Sequence, residues 1–146
     1  MKKSKTALVI VHLSSLDSYT ADAGPDAGDE LGYNIADAIV HHDGPVIIVD
    51  QGWSLGYRES RPRQEVLRRI KVRNGIIWMR FDEATDDWPP FLLYLKKRLE
   101  ELMVGKVTVG GIWYDPELKS GCATEVYLYL GRFFQAKVDP DIVGRE

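Results

Sequence analysis

Five short runs rich in Val and Ile, separated by longer amphipathic segments, constrain this chain more than any other feature of its sequence. They are Thr6 to Leu13 (TALVIVHL), Val46 to Asp50 (VIIVD), Ile76 to Phe81 (IIWMRF), Val107 to Trp113 (VTVGGIW) and Ala136 to Val143 (AKVDPDIV). Parallel strands cannot be joined by a tight hairpin and need a crossover, usually a helix, so this alternation predicts βαβ units and a parallel sheet. The first four runs are continuously apolar, as strands covered by helices on both faces are. The fifth contains Pro140, which cannot donate to a ladder and belongs on an edge strand.

The intervening segments carry helical stripes. Leu31, Ile35, Ala38 and Ile39 fall on one face, and Asp43-Gly44-Pro45 stops them. Ser60-Arg61-Pro62 opens a second helix with Val66, Leu67 and Ile70 inward, closed by Asn74-Gly75. Asp86 or Asp87 caps a third, with the stripe Phe91, Leu95, Leu99 and Leu102 ending at Gly105; a fourth starts near Cys122 and runs through Val126, Leu130 and Phe133. Asp17, Asp22, Asp26, Asp29 and Glu30 read as a solvated loop whose last acids cap the first helix, since their spacing matches no calcium loop.

A length of 146 residues fits one domain, 1–146, that buries roughly two-thirds of its unfolded surface. An apolar content of 45% with scattered Gly and Pro excludes disordered and collagen-like classes. The start Met1-Lys2-Lys3-Ser4-Lys5 leads into a short apolar run without a small-residue cleavage site, and no run approaches the roughly 20 apolar residues of a membrane helix. With Cys122 as the single cysteine, no internal disulfide can form, so a cytoplasmic protein with no membrane partner is expected. The net charge is -3, and the densest basic stretch, Arg58 to Arg73, is diluted by Glu59 and Glu65. No nucleic-acid partner is expected from that balance.

Four βα units followed by a strand predict a three-layer α/β/α sandwich, Rossmann-like, around a mostly parallel five-stranded sheet with strand one central. In the order 3-2-1-4-5, ligands bind where the order reverses, at the carboxyl ends of strands one and four. That crevice would receive His12, Trp113 to Asp115 and the loop to Cys122, with Asp50 and Arg80 to one side.

Cys122 lies in Ser120-Gly121-Cys122-Ala123-Thr124-Glu125, a loop feeding a helix amino end, where helix amides and dipole favour thiolate. A lone cysteine in an α/β domain is more often an inert small apolar residue, and its position at a helix start is what favours the reactive reading. His12 could be the general base for Cys122, or a histidine that ends a strand and bonds a loop carbonyl. Asp50 could accept, and Arg80 donate, hydrogen bonds to a polar substrate, or each could pair on the surface. Trp53, Trp78, Trp88 and Trp113 could line a pocket or fill the core. His41-His42 suit a helix end better than a metal, because adjacent residues point to different faces; neither metal nor cofactor is expected.

The pattern resembles the isochorismatase-like cysteine hydrolases, the superfamily that includes nicotinamidases and N-carbamoyl amidohydrolases. The likeness is carried by Lys5-Thr6-Ala7-Leu8-Val9-Ile10-Val11-His12 and by Val109-Gly110-Gly111-Ile112 followed by Gly121-Cys122-Ala123-Thr124-Glu125-Val126, and extends through Gly131 to Asp141. It implies an isochorismatase-like fold in which an Asp, a Lys and a Cys act together on an amide or vinyl-ether substrate. Cys122 matches the nucleophile, and Gly121 lies where a cis peptide often shapes the oxyanion hole. The departures are His12 in place of the strand-one Asp and Arg80 as the nearest basic residue where a Lys follows strand three; arginine holds negative charge but does not readily exchange a proton.

Two expectations follow. One is a divergent cysteine hydrolase of a small amide-type substrate, with Cys122 and His12 reacting, Arg80 orienting the substrate, and Asp50, Trp113 and Gly121 lining it. The other is a catalytically silent member of the fold serving as a binding or oligomeric subunit. Tyr127, Tyr129, Phe133 and Phe134 are too many for one helical stripe and predict self-association. A flavodoxin-like nucleotide-binding domain is disfavoured, since Ser14-Ser15-Leu16 stands where a Gly-rich phosphate loop belongs.

Overall fold

The computed structural model describes residues 5–50, 61–81, 86–117 and 121–145. The strands are β1 (Lys5–Val11), β2 (Val46–Asp50), β3 (Ile77–Arg80), β4 (Val104–Tyr114) and β5 (Gln135–Arg145). The helices are α1 (Leu16–Ala23), α2 (Pro25–His41), α3 (Arg61–Ile70), α4 (Trp88–Glu101) and α5 (Cys122–Leu130). All strand pairs are parallel, in the order β3-β2-β1-β4-β5, with β1 central and β5 on an edge as Pro140 requires.

Alternation along the strands splits the core in two, because successive side chains leave a strand on opposite faces. Val9, Val11, Ile47 and Val49 meet Leu95 and Leu99 of α4 and Val126 and Leu130 of α5. Leu8, Ile10, Val46 and Ile48 meet Ile35 and Ile39 of α2 and Val66 and Ile70 of α3. The connections before β3 therefore lie on one face and those after it on the other. The chain changes face and direction on passing from β3 to β4, which opens a crevice between β1 and β4.

Four local expectations are corrected. The acidic segment after β1 is helical: Leu16 is fully buried and anchors α1, the Thr20 hydroxyl bonds the Leu16 carbonyl at 2.7 Å, and Pro25 opens α2. Burial of one apolar residue outweighs the polarity of its neighbours there. β3 is not covered on both faces, since as the other edge strand it leaves Trp78 49% exposed and Arg80 in solvent. α4 ends at Glu101 rather than Gly105, because buried Val104 already pairs with β1. α5 ends at Leu130 and Phe133 lies outside it, as the chain must turn back to reach β5 at Gln135. Trp53 and Ser60 fall outside the described residues.

Candidate functional site

The crevice is built on a close approach of two backbones. Gly111 stands opposite Val11 with φ 108°, and a Cβ there would collide with the Val11 backbone. A glycine is thus required for β1 and β4 to approach this closely at their carboxyl ends.

His12 follows immediately. It is past the end of β1, not within it, at φ 52° and ψ 58°, opening a single 3-10 turn over Leu13–Ser15. Its amide N–H donates to the Val49 carbonyl at 2.6 Å, and its own carbonyl accepts the Ser15 N–H at 2.9 Å. The side chain is 2% exposed. Its ring stacks against Phe81 and Trp88, at centroid distances of 6.1 and 5.9 Å, while those two rings stack on each other at 4.0 Å. Phe91 of α4 closes the cluster edge-on, 5.0 Å from Phe81. The imidazole is thus held by aromatic faces contributed after β3 and by the start of α4.

On the other side, Cys122 is the first residue of α5, half-buried, and packs on the core face that also holds Phe81 and Trp88. The thiol and the His12 stack therefore share one face of the sheet at its carboxyl end. The amino end of α5 is tied to β4: the Thr124 hydroxyl, on a residue 1% exposed, accepts the Asp115 N–H at 2.7 Å. Gly121 precedes the thiol at φ 94°, and a Cβ there would strike the Trp113 carbonyl. A cis peptide lies between Ile112 and Trp113, and Gly121 packs against that segment's backbone; the Ser120–Gly121 peptide lies outside the described residues. The crevice thus brings a thiol, the amides at a helix start and an imidazole to one face of the sheet at the carboxyl ends of its strands.

The remaining expected site residues are not gathered with these. Trp113 packs on the opposite core face, its ring 5.9 Å from Tyr19. Arg80 is exposed on the outer strand, two strands from β1 and so about 10 Å away by normal strand spacing. Asp50 is 4% exposed; one carboxylate oxygen accepts the Ser14 N–H at 3.1 Å and the other lies 3.6 Å from Arg63 Nη2 of α3. Arg63, itself 4% exposed, escaped sequence reasoning, which saw only a basic segment; no local pattern links a helix-start arginine to a strand-end aspartate. Phe81 and Trp88 as partners of His12 were also missed, since they come from separate elements.

His41 and His42 serve structure: His41 Nδ1 lies 3.0 Å from the Asp37 carbonyl oxygen and His42 Nε2 lies 2.8 Å from that of Thr6. Among the described residues no group of three His, Cys, Asp or Glu side chains could hold a metal ion. Among the described residues no helix is long and apolar enough to cross a membrane. A cleft of about 680 Å³ lies between α3 and the amino end of β3, lined by Leu67, Lys71, Ile76 and Trp78. It is at the opposite end of the strands from Cys122.

No family model matches this chain. No curated protein matches it either. Among solved structures, that of MAR1 ribonuclease from Caenorhabditis elegans is similar, with 20% identity and a TM-score of 0.56 over 99% of this chain and 67% of that one. At that identity the likeness is one of fold. The architecture is a three-layer, Rossmann-like α/β/α sandwich.

Proposed function

We propose that this chain is a divergent cysteine hydrolase acting on a small amide-type substrate. The observation that carries the reading is the placement of Cys122 at the first position of α5, on the same face and at the same end of the sheet as the His12 stack. His12 takes the Sγ proton, and the thiolate attacks the carbonyl carbon. As the C–S bond forms, the C=O π electrons move to oxygen, where amides at the start of α5 meet the developing charge. Collapse breaks the C–N bond, and the imidazolium returns its proton to the leaving amine. Water, deprotonated by His12, then attacks the thioester, releasing a carboxylic acid and the thiol.

Arg80, exposed on the outer strand, draws anionic substrates toward the crevice rather than touching the reacting carbon. A net charge of -3 gives poor support for tracking the phosphates of RNA. The lone thiol suits the cytoplasm.

The test is the rate of Cys122 alkylation against pH, with Cys122→Ala as the blank. An inflection well below the model thiol value of about 8.5 is expected, moving upward in His12→Ala. A thiol that reacts only after unfolding would overturn this reading and leave the silent subunit. The specific observation favouring that second reading is apolar surface near α5: Leu128 is 43% and Phe133 46% exposed. On either reading the chain self-associates through this face, and light scattering at micromolar concentration is expected to give more than the 16.6 kDa monomer mass.

A further inference from the structure

We propose that Asp50 and Arg63 are a positioning pair that holds the His12 ring in place, and that Asp50 does not bind substrate. Its catalytic consequence rests on the cysteine hydrolase reading; its geometry does not.

Residue 50 joins the two things that place His12. Its side chain reaches back to β1: Oδ1 accepts the Ser14 N–H at 3.1 Å, two residues beyond His12. Its backbone reaches the other way, the Asp50 carbonyl accepting the Phe81 N–H at 2.9 Å, and Phe81 is one of the rings on which His12 stacks. The turn after β1 is thus bracketed by β2, with the Val49 carbonyl receiving the His12 N–H in front and the Asp50 carboxylate receiving the Ser14 N–H behind.

The bracket matters because His12 is at φ 52°, a region that few residues with a side chain occupy and that costs free energy, so the contacts around the turn help to hold it. A 3-10 turn this short has amides at its start with no partner inside the turn, and the carboxylate supplies one. A carboxylate at this depth in turn needs a counter-charge. Arg63 provides it from α3 at 3.6 Å, with side chains 5% and 6% exposed. Each Asp50 oxygen is therefore engaged within the protein, one by the turn and one by the guanidinium. The division of labour follows: Oδ1 positions the turn, and Oδ2 with Arg63 makes the buried charge tolerable.

Two double variants isolate the acceptor from the charge. Asp50→Asn with Arg63→Met and Asp50→Ala with Arg63→Met both remove the ion pair, but only the first keeps an oxygen for Ser14. The readout is the ¹H–¹³C spectrum of the imidazoles, in which stacking on Phe81 and Trp88 shifts the His12 resonance away from that of exposed His41. The Asn variant is expected to keep the wild-type His12 position. The Ala variant is expected to lose the ring-current shift, with His41 and His42 unmoved. Identical His12 positions in the two variants would overturn the proposal, and so would a double Asn variant that had already lost the shift. Alkylation of Cys122 separates the two levels. If the Ala variant raises the inflection to that of His12→Ala, positioning and chemistry stand together. If His12 moves while the inflection is unchanged in both this variant and His12→Ala, the positioning stands and the hydrolase reading falls.

Discussion

Gly111→Ala is expected to lower the unfolding free energy by about 3–5 kcal/mol, combining overpacking of about 1–3 kcal/mol with backbone strain of similar size. Both terms come from the same place. Gly111 has φ 108°, and a Cβ would meet the N, C and O atoms of Val11 rather than the yielding end of a side chain. Neither strand can retreat, because β1 is flanked by β2 and β4, and β4 by β1 and β5. The loss is a large part of the roughly 5–15 kcal/mol available to a domain. Gly75→Ala is the control: it has φ 78° but nothing within 4 Å of the added atom, so only the strain applies. Urea denaturation of both variants checks the argument. Equal losses at the two positions would mean that the close approach of β1 and β4 is not what demands the glycine.

Arg63→Met alone is expected to cost about 3–5 kcal/mol, since it takes the guanidinium away from the buried Asp50 carboxylate. Adding Asp50→Asn is expected to restore most of that loss, because a neutral amide still accepts from Ser14 and no buried charge remains. The pair is weak evidence for stability in itself, as buried ion pairs recover their desolvation cost only in part. A double-mutant cycle in urea gives the coupling directly. A single Arg63→Met variant as stable as the parent would show that the guanidinium does not neutralise Asp50, which would remove half of the positioning argument.

Neither of these two effects is legible in the sequence alone. The Val-Gly-Gly-Ile run at 109–112 reads from the sequence only as a strand, and the structure shows that Gly111 meets the backbone of Val11. Nothing near Arg63 distinguishes it from Arg68, which is exposed and paired within its own helix to Glu65 at 2.6 Å. One arginine is buried against a strand end and the other is in solvent because of where α3 lies on the sheet, and that position is set by the packing of Val66 and Ile70.

By itself the sequence determined the parallel five-stranded sheet, the central place of β1, the edge position of the Pro140 strand and the helix that starts at Cys122. Each of these follows from local patterns: apolar runs of strand length, a missing N–H donor, and a 3.6-residue stripe. Only the tertiary structure decided that the acidic segment after β1 is helical, that β3 is half-exposed, that His12 stands in a stack of Phe81 and Trp88, and that Asp50 faces Arg63 rather than the crevice. Those outcomes depend on contacts between residues tens of positions apart. A residue's periodicity records which face it presents, and the neighbour it meets there is chosen by how the layers settle against each other.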